Sequence, residues 1–187
     1  MIQLLRPCCA ERFPDGSQFG EWGPRWGYHF DGNGIWIPGR VCQRCKAVVL
    51  LPRQTCQECG GADLKGQHGG PDIEVDYGTM LSMPYDTENV IRAGWQVEND
   101  HKHGWGLSIV CETTPIEYAP KKIARLILTL AHLSEAWVKE GSHLAKGDAF
   151  GKSGDSGNVS GPHLHTQLEI PSDSYPRTPL DFAWTSF

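Results

Sequence analysis

Hydrophobic and polar residues alternate along several short stretches of the chain, a pattern that predicts β-strands with one buried face. The clearest stretch is 163–170, where apolar residues and a threonine occupy the even positions and His163, His165, Gln167 and Glu169 the odd ones. In a strand this places both histidines on one face, several ångströms apart. For an isolated His-x-His pair, two ordinary surface histidines are the more common interpretation, so the rest of the chain must decide.

Further alternating or apolar stretches predict strands at 72–77, 90–97, 106–112 and 123–134. The last of these is the most apolar, and His132 shares the parity of its leucines. This leaves two interpretations of His132 open. It is either a core residue or a residue at the mouth of a site built on that face.

The segments between these strands are rich in turn residues. Loops are predicted at 115–122 and 171–187, and a short helical turn at 135–140. The C-terminal loop is expected to pack Phe182 and Trp184 against the core. With 22 glycines and 13 prolines in 187 residues, the composition favours one all-β, antiparallel domain over a helical bundle.

Charge and hydropathy narrow the function classes. The formal net charge of −5 argues against a general nucleic-acid binder, because the overall charge of the chain does not attract phosphate groups. No apolar run is long enough to cross a bilayer. The start, Met1–Pro7, is too short and too soon interrupted for a signal peptide, so accumulation in the cytoplasm is expected.

Four of the seven cysteines form two Cys-x-x-Cys pairs, which are Cys42 with Cys45 and Cys56 with Cys59. Two such pairs across a short apolar segment are typical of a tetrahedral structural zinc site, here a zinc ribbon at 41–60. Redox dithiols and tight disulfides are the alternatives, but neither explains the pairing across a hairpin. The ribbon is locally basic but lacks interleaved aromatic residues, which favours a structural role over nucleic-acid binding.

The N-terminal part is aromatic and full of turn signals. Trp22, Trp26, Tyr28 and Trp36 are candidates for lining a substrate groove, and covering the edge of a core is an equally good interpretation. A second His-x-His pattern, His101 and His103, lies in a charged loop, where solvent exposure is the better interpretation.

Three segments remote in sequence offer zinc ligands. His68 and Asp72 flank Gly69–Pro71, which rules out a shared helix face and predicts a tight loop leading into a strand. Together with one histidine of the pair His163 and His165 they make a three-ligand set, and such a set leaves a position for water. The two remaining histidines, one of them His132, would stand beside the metal to move protons and stabilise charge.

Competing catalytic motifs are weaker. The chain has no His-Glu-x-x-His helix, no Gly-x-Ser-x-Gly elbow and no Walker loop. The stretch 154–157, Gly-Asp-Ser-Gly, matches a serine-protease motif over four residues only. Cys111 is a possible nucleophile, but no base lies near it in sequence.

The motifs His68-Gly-Gly-Pro-Asp72, Ala-His132-Leu-Ser and Ser-Gly-Pro-His163-Leu-His165 resemble the signatures of the lysostaphin-type (LytM) zinc metallopeptidases, in order and approximate spacing. The resemblance covers about residues 62–170. It implies an antiparallel β fold with a narrow groove, and cleavage of peptide bonds in peptidoglycan.

Carried over motif by motif, the resemblance implies that His68, Asp72 and His165 are the zinc ligands and that His132 and His163 are the catalytic histidines. It does not say which of these two accepts the proton of the water. The ribbon at 41–60 departs from the family pattern and looks like an insertion within a single domain, 1–187.

Three functions are therefore weighed. The first is a zinc endopeptidase of the cell wall, with a phage-type lysin released by a holin-like partner as its more specific form. The second is a catalytically inactive relative that binds the wall or activates another hydrolase, which is disfavoured because no ligand is missing. The third is a nucleic-acid module carried by the ribbon.

Overall fold

The computed structural model describes residues 2–8, 17–19, 21–23, 28–30, 36–50, 53–98, 100–172 and 177–185. Every regular element in these residues is a β-strand, so the prediction of an all-β protein is confirmed. The strands are β1 (Ile2–Leu5), β2 (Trp22–Gly23), β3 (Tyr28–Phe30), β4 (Trp36–Cys42), β5 (Val48–Leu50), β6 (Leu64–Gln67), β7 (Asp72–Glu74), β8 (Met80–Ser82), β9 (Thr87–Trp95), β10 (Leu107–Thr113), β11 (Ile116–Ala119), β12 (Lys122–Ala124), β13 (Ile127–Ala136), β14 (Ala149–Ser153), β15 (His163–Ile170), β16 (Thr178–Leu180) and β17 (Phe182–Thr185).

One antiparallel sheet of eight strands is the largest in the described residues. Its strands follow the order β16-β15-β13-β10-β9, β7 pairs with β15, and β14 joins β13 to β8. Leu128 and Leu130 of β13 pack with Leu164 and Leu168 of β15 in the main hydrophobic core, and all four are fully buried. Because side chains alternate across a strand, the odd-numbered residues of β15 lie on the other face of the sheet.

A smaller sheet with the order β2-β6-β3-β4-β5 lies N-terminal to the large one in sequence, and β6 also pairs with β4. A separate small core of buried residues holds this part together: Cys42, Val49, Cys56 and Leu64. Because this described core is so small and half of it is cysteine, apolar packing alone contributes little to its stability.

Two predicted loops contain strands. The stretch predicted as a loop at 115–122 holds β11, which forms a hairpin with β12 and turns at Lys121 with a φ of 62°. The strand predicted at 123–134 is therefore two elements, β12 and β13, because its first residues pair with β11 and its later ones with β10 and β15.

The helical turn predicted at 135–140 is wrong. β13 continues to Ala136, because Glu135 and Ala136 pair with β14, and Trp137 then donates its backbone N–H to the carbonyl oxygen of Phe150 at 2.9 Å. The described residues contain no helix, and therefore no helix that is long and apolar enough to span a membrane.

The C-terminal segment, predicted as a loop, contains β16 and β17. β16 adds to the edge of the large sheet, and β17 pairs with β1 in parallel, which departs from the expected antiparallel arrangement. The predicted packing is confirmed, because Phe182 is buried and its ring lies edge-on to that of Trp184, with centroids 5.0 Å apart.

Candidate active site and metal centre

The first two site residues lie at the ends of strands β6 and β7. β6 ends one residue before His68, and β7 begins at Asp72. The tight loop between them lies against β15, and a Cβ atom on Gly70 would collide with the carbonyl oxygen of Thr166. Only glycine permits this close approach, which explains the Gly-Gly-Pro loop between the two candidate ligands.

The ladder between β7 and β15 brings the third candidate ligand into place. His165 lies directly opposite Asp72, so their side chains share one face of the sheet. Oδ1 of Asp72 lies 2.8 Å from Nδ1 of His165 and 3.5 Å from Nε2 of His68. The three residues expected to bind metal are therefore adjacent.

The geometry of these three side chains fits a metal ion. One ligand atom from each of His68, Asp72 and His165 lies within 4.8 Å of the other two. A tetrahedral zinc with nitrogen and oxygen ligands at 2.0–2.1 Å separates its ligand atoms by about 3.3 Å. The measured 2.8 Å and 3.5 Å lie on either side of this value, so a small adjustment of the side chains makes a three-ligand site.

His132 reaches the same site by leaving regular strand geometry. Its φ is 66°, and the ladder between β13 and β10 shifts register at this point. This bulge turns His132 away from the core side occupied by Leu130, and Leu133 returns to the core, fully buried. The His132 ring centroid lies 4.7 Å from that of His163 and 6.0 Å from that of His165. His132 therefore lies beside the three candidate ligands, on the face opposite to the core leucines, so neither of the two interpretations holds as it was stated.

Backbone carbonyls fix the tautomers of the two histidines beside the ligands. Nδ1 of His132 lies 2.8 Å from the carbonyl oxygen of Ser156, and Nδ1 of His163 lies 2.9 Å from that of Gly161. A carbonyl oxygen only accepts, so each Nδ1 donates a proton and each neutral ring keeps a lone pair on Nε2. Nε2 of His163 lies 3.9 Å from Oδ2 of Asp72, at the edge of the candidate metal site.

The environment sets protonation states suited to metal binding. Burial, with the neighbouring histidines, lowers the pKa of His68 to about 4 and that of His132 to about 3. Burial raises the pKa of Asp72, but its hydrogen bond with His165 and the charges of the surrounding histidines outweigh burial, so the pKa is lowered overall. At neutral pH the site therefore presents neutral His68 and His132 beside an ionised carboxylate, and metals bind these forms.

The predicted aromatic groove is only partly described. Trp22 is 46% exposed and lies opposite Gln67, the residue before His68, with its ring centroid 6.0 Å from that of His29. Trp26 and the side chains of Tyr28 and Trp36 lie outside the described residues. A groove lined by all four aromatic residues stays a prediction.

The loop histidines are exposed, as expected. The ring of His101 stacks on Trp95 with centroids 3.7 Å apart, and His103 pairs with Asp100 at 2.8 Å. The backbone of His101 accepts the N–H of Gly157 at 2.9 Å, so this loop rests on the segment that holds His132 in place.

Neither alternative nucleophile is suited to catalysis. Burial raises the pKa of the Cys111 thiol to about 12, so no thiolate is available at neutral pH. The Ser156 hydroxyl donates to the backbone oxygen of Leu133 at 2.8 Å and is buried. The serine of the Gly-Asp-Ser-Gly stretch therefore has a structural role.

The four paired cysteines converge in the smaller sheet. Sγ of Cys42 lies 3.6 Å from that of Cys59, and Sγ of Cys45 lies 3.5 Å from that of Cys56. These distances exclude disulfides, whose sulfur atoms are about 2.05 Å apart, and match the roughly 3.8 Å edge of a tetrahedral zinc–thiolate site. A hydrogen bond from the backbone N–H of Cys45 is the largest effect on Cys42, whose pKa is lowered to about 7. The cluster fits a tetrahedral metal ion.

A short part of the chain is similar in sequence to a known bacterial enzyme. A stretch of 39 residues, 21% of this chain, is 49% identical to the peptidoglycan DD-endopeptidase ShyA of Vibrio cholerae. That stretch spans 9% of the length of this curated relative, so the chain matches only a small part of it.

Solved structures show the same fold. The catalytic domain of the antimicrobial peptidase lysostaphin from Staphylococcus simulans superposes with a TM-score of 0.54 at 22% identity, over 91% of this chain and 90% of that one. A mutant catalytic domain of the prophage-encoded M23 protein EnpA from Enterococcus faecalis gives 0.51 at 18% identity, over 92% and 98%.

The family follows from a longer match. Residues 61–177, well over half of the chain, match peptidase family M23, and this range contains all five of the site residues described above. The chain belongs to peptidase family M23.

Proposed function

We propose that this chain is a zinc-dependent endopeptidase that hydrolyses peptide bonds in bacterial peptidoglycan, in the stem peptide or the cross-bridge. One observation carries the proposal. Three buried metal-ligand side chains converge on one point, and two further histidines stand beside them with the lone pairs of their Nε2 atoms uncommitted to the backbone. Membership of a peptidase family supports the same reaction class.

His68, Asp72 and His165 are the proposed zinc ligands. Zinc in such a three-ligand site lowers the pKa of a water molecule and polarises a substrate carbonyl. The chain supplies two neutral imidazoles and one carboxylate, a set that leaves the ion with a net positive charge. This charge suits the polarisation of an amide.

His132 and His163 are the proposed catalytic histidines. Because each donates its Nδ1 proton to a backbone carbonyl, each is oriented to accept a proton at Nε2 or, once protonated, to donate one there. One is placed to take the proton of the attacking water and the other to stabilise the oxyanion or protonate the leaving amine. The 4.7 Å between their ring centroids allows both to contact one tetrahedral centre.

The substrate part of the proposal draws on family membership and on the relatives. ShyA is a peptidoglycan endopeptidase, and lysostaphin is an antimicrobial peptidase whose catalytic domain shares this fold. The direct test is incubation of the protein with purified peptidoglycans of different cross-bridge types, with and without a chelator. New amine termini that disappear with the chelator are expected, and their absence on every wall type would refute the proposal.

The inactive-relative alternative makes a different prediction for one variant. A wall-binding relative that does no chemistry keeps its function when His163 is replaced by alanine. A peptidase loses turnover and keeps its metal. The presence of all five expected residues within one site supports the peptidase.

A second zinc ion at the four cysteines, with a structural role, is also part of the proposal. The sulfur separations support it, since they fit a closed tetrahedral site with no position left for substrate. We place this ribbon at 41–60, as an insertion in a single peptidase domain that spans 1–187. Such an insertion would stabilise the strand that leads into His68 and would need no partner.

A lysin role, with release by a holin-like partner, is a finer proposal. The likeness in fold to the prophage-encoded EnpA domain is its support. Expression in a susceptible host with and without a co-expressed holin tests it. Lysis only when the holin is present is expected, and the absence of lysis in both cases would remove this part alone.

A further inference from the structure

We propose that Gln167, Glu169 and Arg177 form a support of two hydrogen bonds and one ion pair that sets the ring orientation and tautomer of His165, and so tunes its affinity for metal. This inference rests on the proposed function, since it takes His165 as a metal ligand. The three residues are positioning residues, because none of them is placed to touch substrate.

The support is a continuous chain of polar contacts. Nε2 of His165 lies 3.3 Å from Oε1 of Gln167, and the Gln167 amide nitrogen donates to Oε1 of Glu169 at 2.8 Å. Nη1 of Arg177 lies 3.6 Å from Oε2 of Glu169. His165, Gln167 and Glu169 occupy alternate positions of β15, so strand geometry alone holds their side chains on one face of the sheet.

The direction of each hydrogen bond can be worked out by starting at Glu169 and moving towards His165. The amide nitrogen of Gln167 donates to Glu169, which leaves the amide oxygen facing His165. That oxygen only accepts, so Nε2 of His165 must carry a proton. Nδ1 of His165 then faces Asp72 at 2.8 Å: it donates to the carboxylate in the metal-free site, and it is the nitrogen left to offer a lone pair when a metal ion is bound.

Two of the three residues of the support are buried, which is unusual for polar side chains. Gln167 is 2% exposed and Glu169 is fully buried, whereas the side chain of Arg177 is 30% exposed. Burying an ionised carboxylate is costly unless it is paired and hydrogen-bonded. An apolar residue at position 169 would pack in the sheet without the free-energy cost of burying a carboxyl group. The buried carboxyl group therefore points to a task beyond packing, which is to hold and polarise the amide that faces His165.

The neighbouring strand supplies a matched control. Thr129 lies directly opposite Gln167 in the ladder between β13 and β15 and is also fully buried. Its hydroxyl has no hydrogen-bond partner among the described residues, so it is not part of the chain of polar contacts. Thr129→Val thus changes a buried polar group on the same face without removing a hydrogen bond of the support.

The experiment measures metal binding and tautomer in the full chain. Zinc affinity is measured by chelator competition, and cadmium NMR separates the histidine site from the cysteine cluster by its coordination. Gln167→Leu is expected to weaken the histidine site by about 10- to 100-fold. Glu169→Gln, which keeps size and burial, is expected to weaken it less. Thr129→Val is expected to match wild type.

The tautomer readout separates positioning from mere packing. In cadmium-loaded protein, nitrogen NMR of His165 is expected to show the metal on Nδ1 and a proton on Nε2 in wild type and Thr129→Val, and a mixture of states in Gln167→Leu. If both Gln167→Leu and Glu169→Gln bind metal as tightly as wild type and keep its tautomer, the inference is overturned. If wild type itself binds no metal at these histidines, the proposed function fails first.

Discussion

The Nδ1 atom of His132 lies 2.8 Å from the backbone oxygen of Ser156, in a pocket where both residues are buried. Ser156 is itself held in place, because its hydroxyl donates to Leu133 at 2.8 Å and accepts from the N–H of Leu107 at 3.0 Å. Its position, and with it the tautomer of His132, is therefore set by the bulge in β13. The backbone thus fixes which imidazole nitrogen of His132 keeps its lone pair.

Replacing either of the two proposed catalytic histidines is expected to abolish turnover and leave the metal bound. His132→Ala and His163→Ala each remove a group placed to move a proton, which typically lowers kcat by about 10²- to 10⁴-fold. Turnover on a defined muropeptide and zinc content by elemental analysis check this. His143→Ala, at an exposed position, is the matched control and is expected to retain activity. Loss of zinc in His163→Ala would instead assign that residue to the metal.

Adding a methyl group at Gly70 is expected to damage both stability and the site. The new Cβ would collide with the backbone of Thr166, which cannot move without disturbing the strand that carries His165. Overpacking of this kind costs about 1–3 kcal/mol or more. Thermal unfolding and zinc affinity check Gly70→Ala. Gly161→Ala is the control, since its Cβ meets nothing within 4 Å, and an equal loss in both variants would contradict this account.

Much of the site could be predicted from sequence because its residues follow strand parity. The alternation in β15 placed His163 and His165 on one face, and Asp72 was expected on the polar face of its strand. Gln167 and Glu169 were visible on the same face, but no local signal connects an amide and a carboxylate to a histidine beside them. Only the burial seen in the structure makes them notable.

The remaining errors come from pairing between distant segments. His132 has the parity of the core leucines, and its turn to the other face depends on the register shift against β10, which no local pattern encodes. Likewise, Glu135 and Ala136 pair with β14 across the large sheet. Tertiary pairing overrides propensity in these cases. The stretch 115–122 differs, because its strand β11 pairs with the next strand, β12, in a local hairpin.

The stability of the metal-free protein is expected to fall as the pH drops below about 6.5. The pKa of His68 is lowered to about 4 and that of His132 to about 3, both by burial, whereas an unfolded histidine has a pKa of about 6.5. Between these values the unfolded state binds more protons than the folded state. Stability therefore rises with pH across this window, by up to a few kcal/mol per histidine.

Denaturant unfolding of chelator-treated protein at pH 7 and pH 5 measures this dependence. His132→Gln is expected to flatten the slope, because it removes one of the two buried titrating groups. His143→Gln is exposed and should leave the slope unchanged. A wild-type stability that is constant over this range would contradict the assignment of buried, neutral histidines.

The cysteine cluster is expected to hold a second zinc ion and to support the first site through β6. Cys42 lies opposite Leu64 in the ladder between β4 and β6, and β6 ends at Gln67, immediately before His68. Closed zinc sites contribute folding energy, so Cys42→Ser should lower solubility and stability more than it alters the chemistry of the bound catalytic ion.

Elemental analysis is expected to return two zinc ions per chain for wild type and one or fewer for Cys42→Ser. Because β6 then loses its anchored neighbour, the remaining histidine site should also bind zinc more weakly, although none of its ligands has changed. Cys111→Ala is the control, since Cys111 is buried in β10, outside the cluster, and should keep both ions. One zinc ion in wild type would refute the structural site. Unchanged affinity at the histidines of Cys42→Ser would show that β6 holds His68 without help from the cysteines.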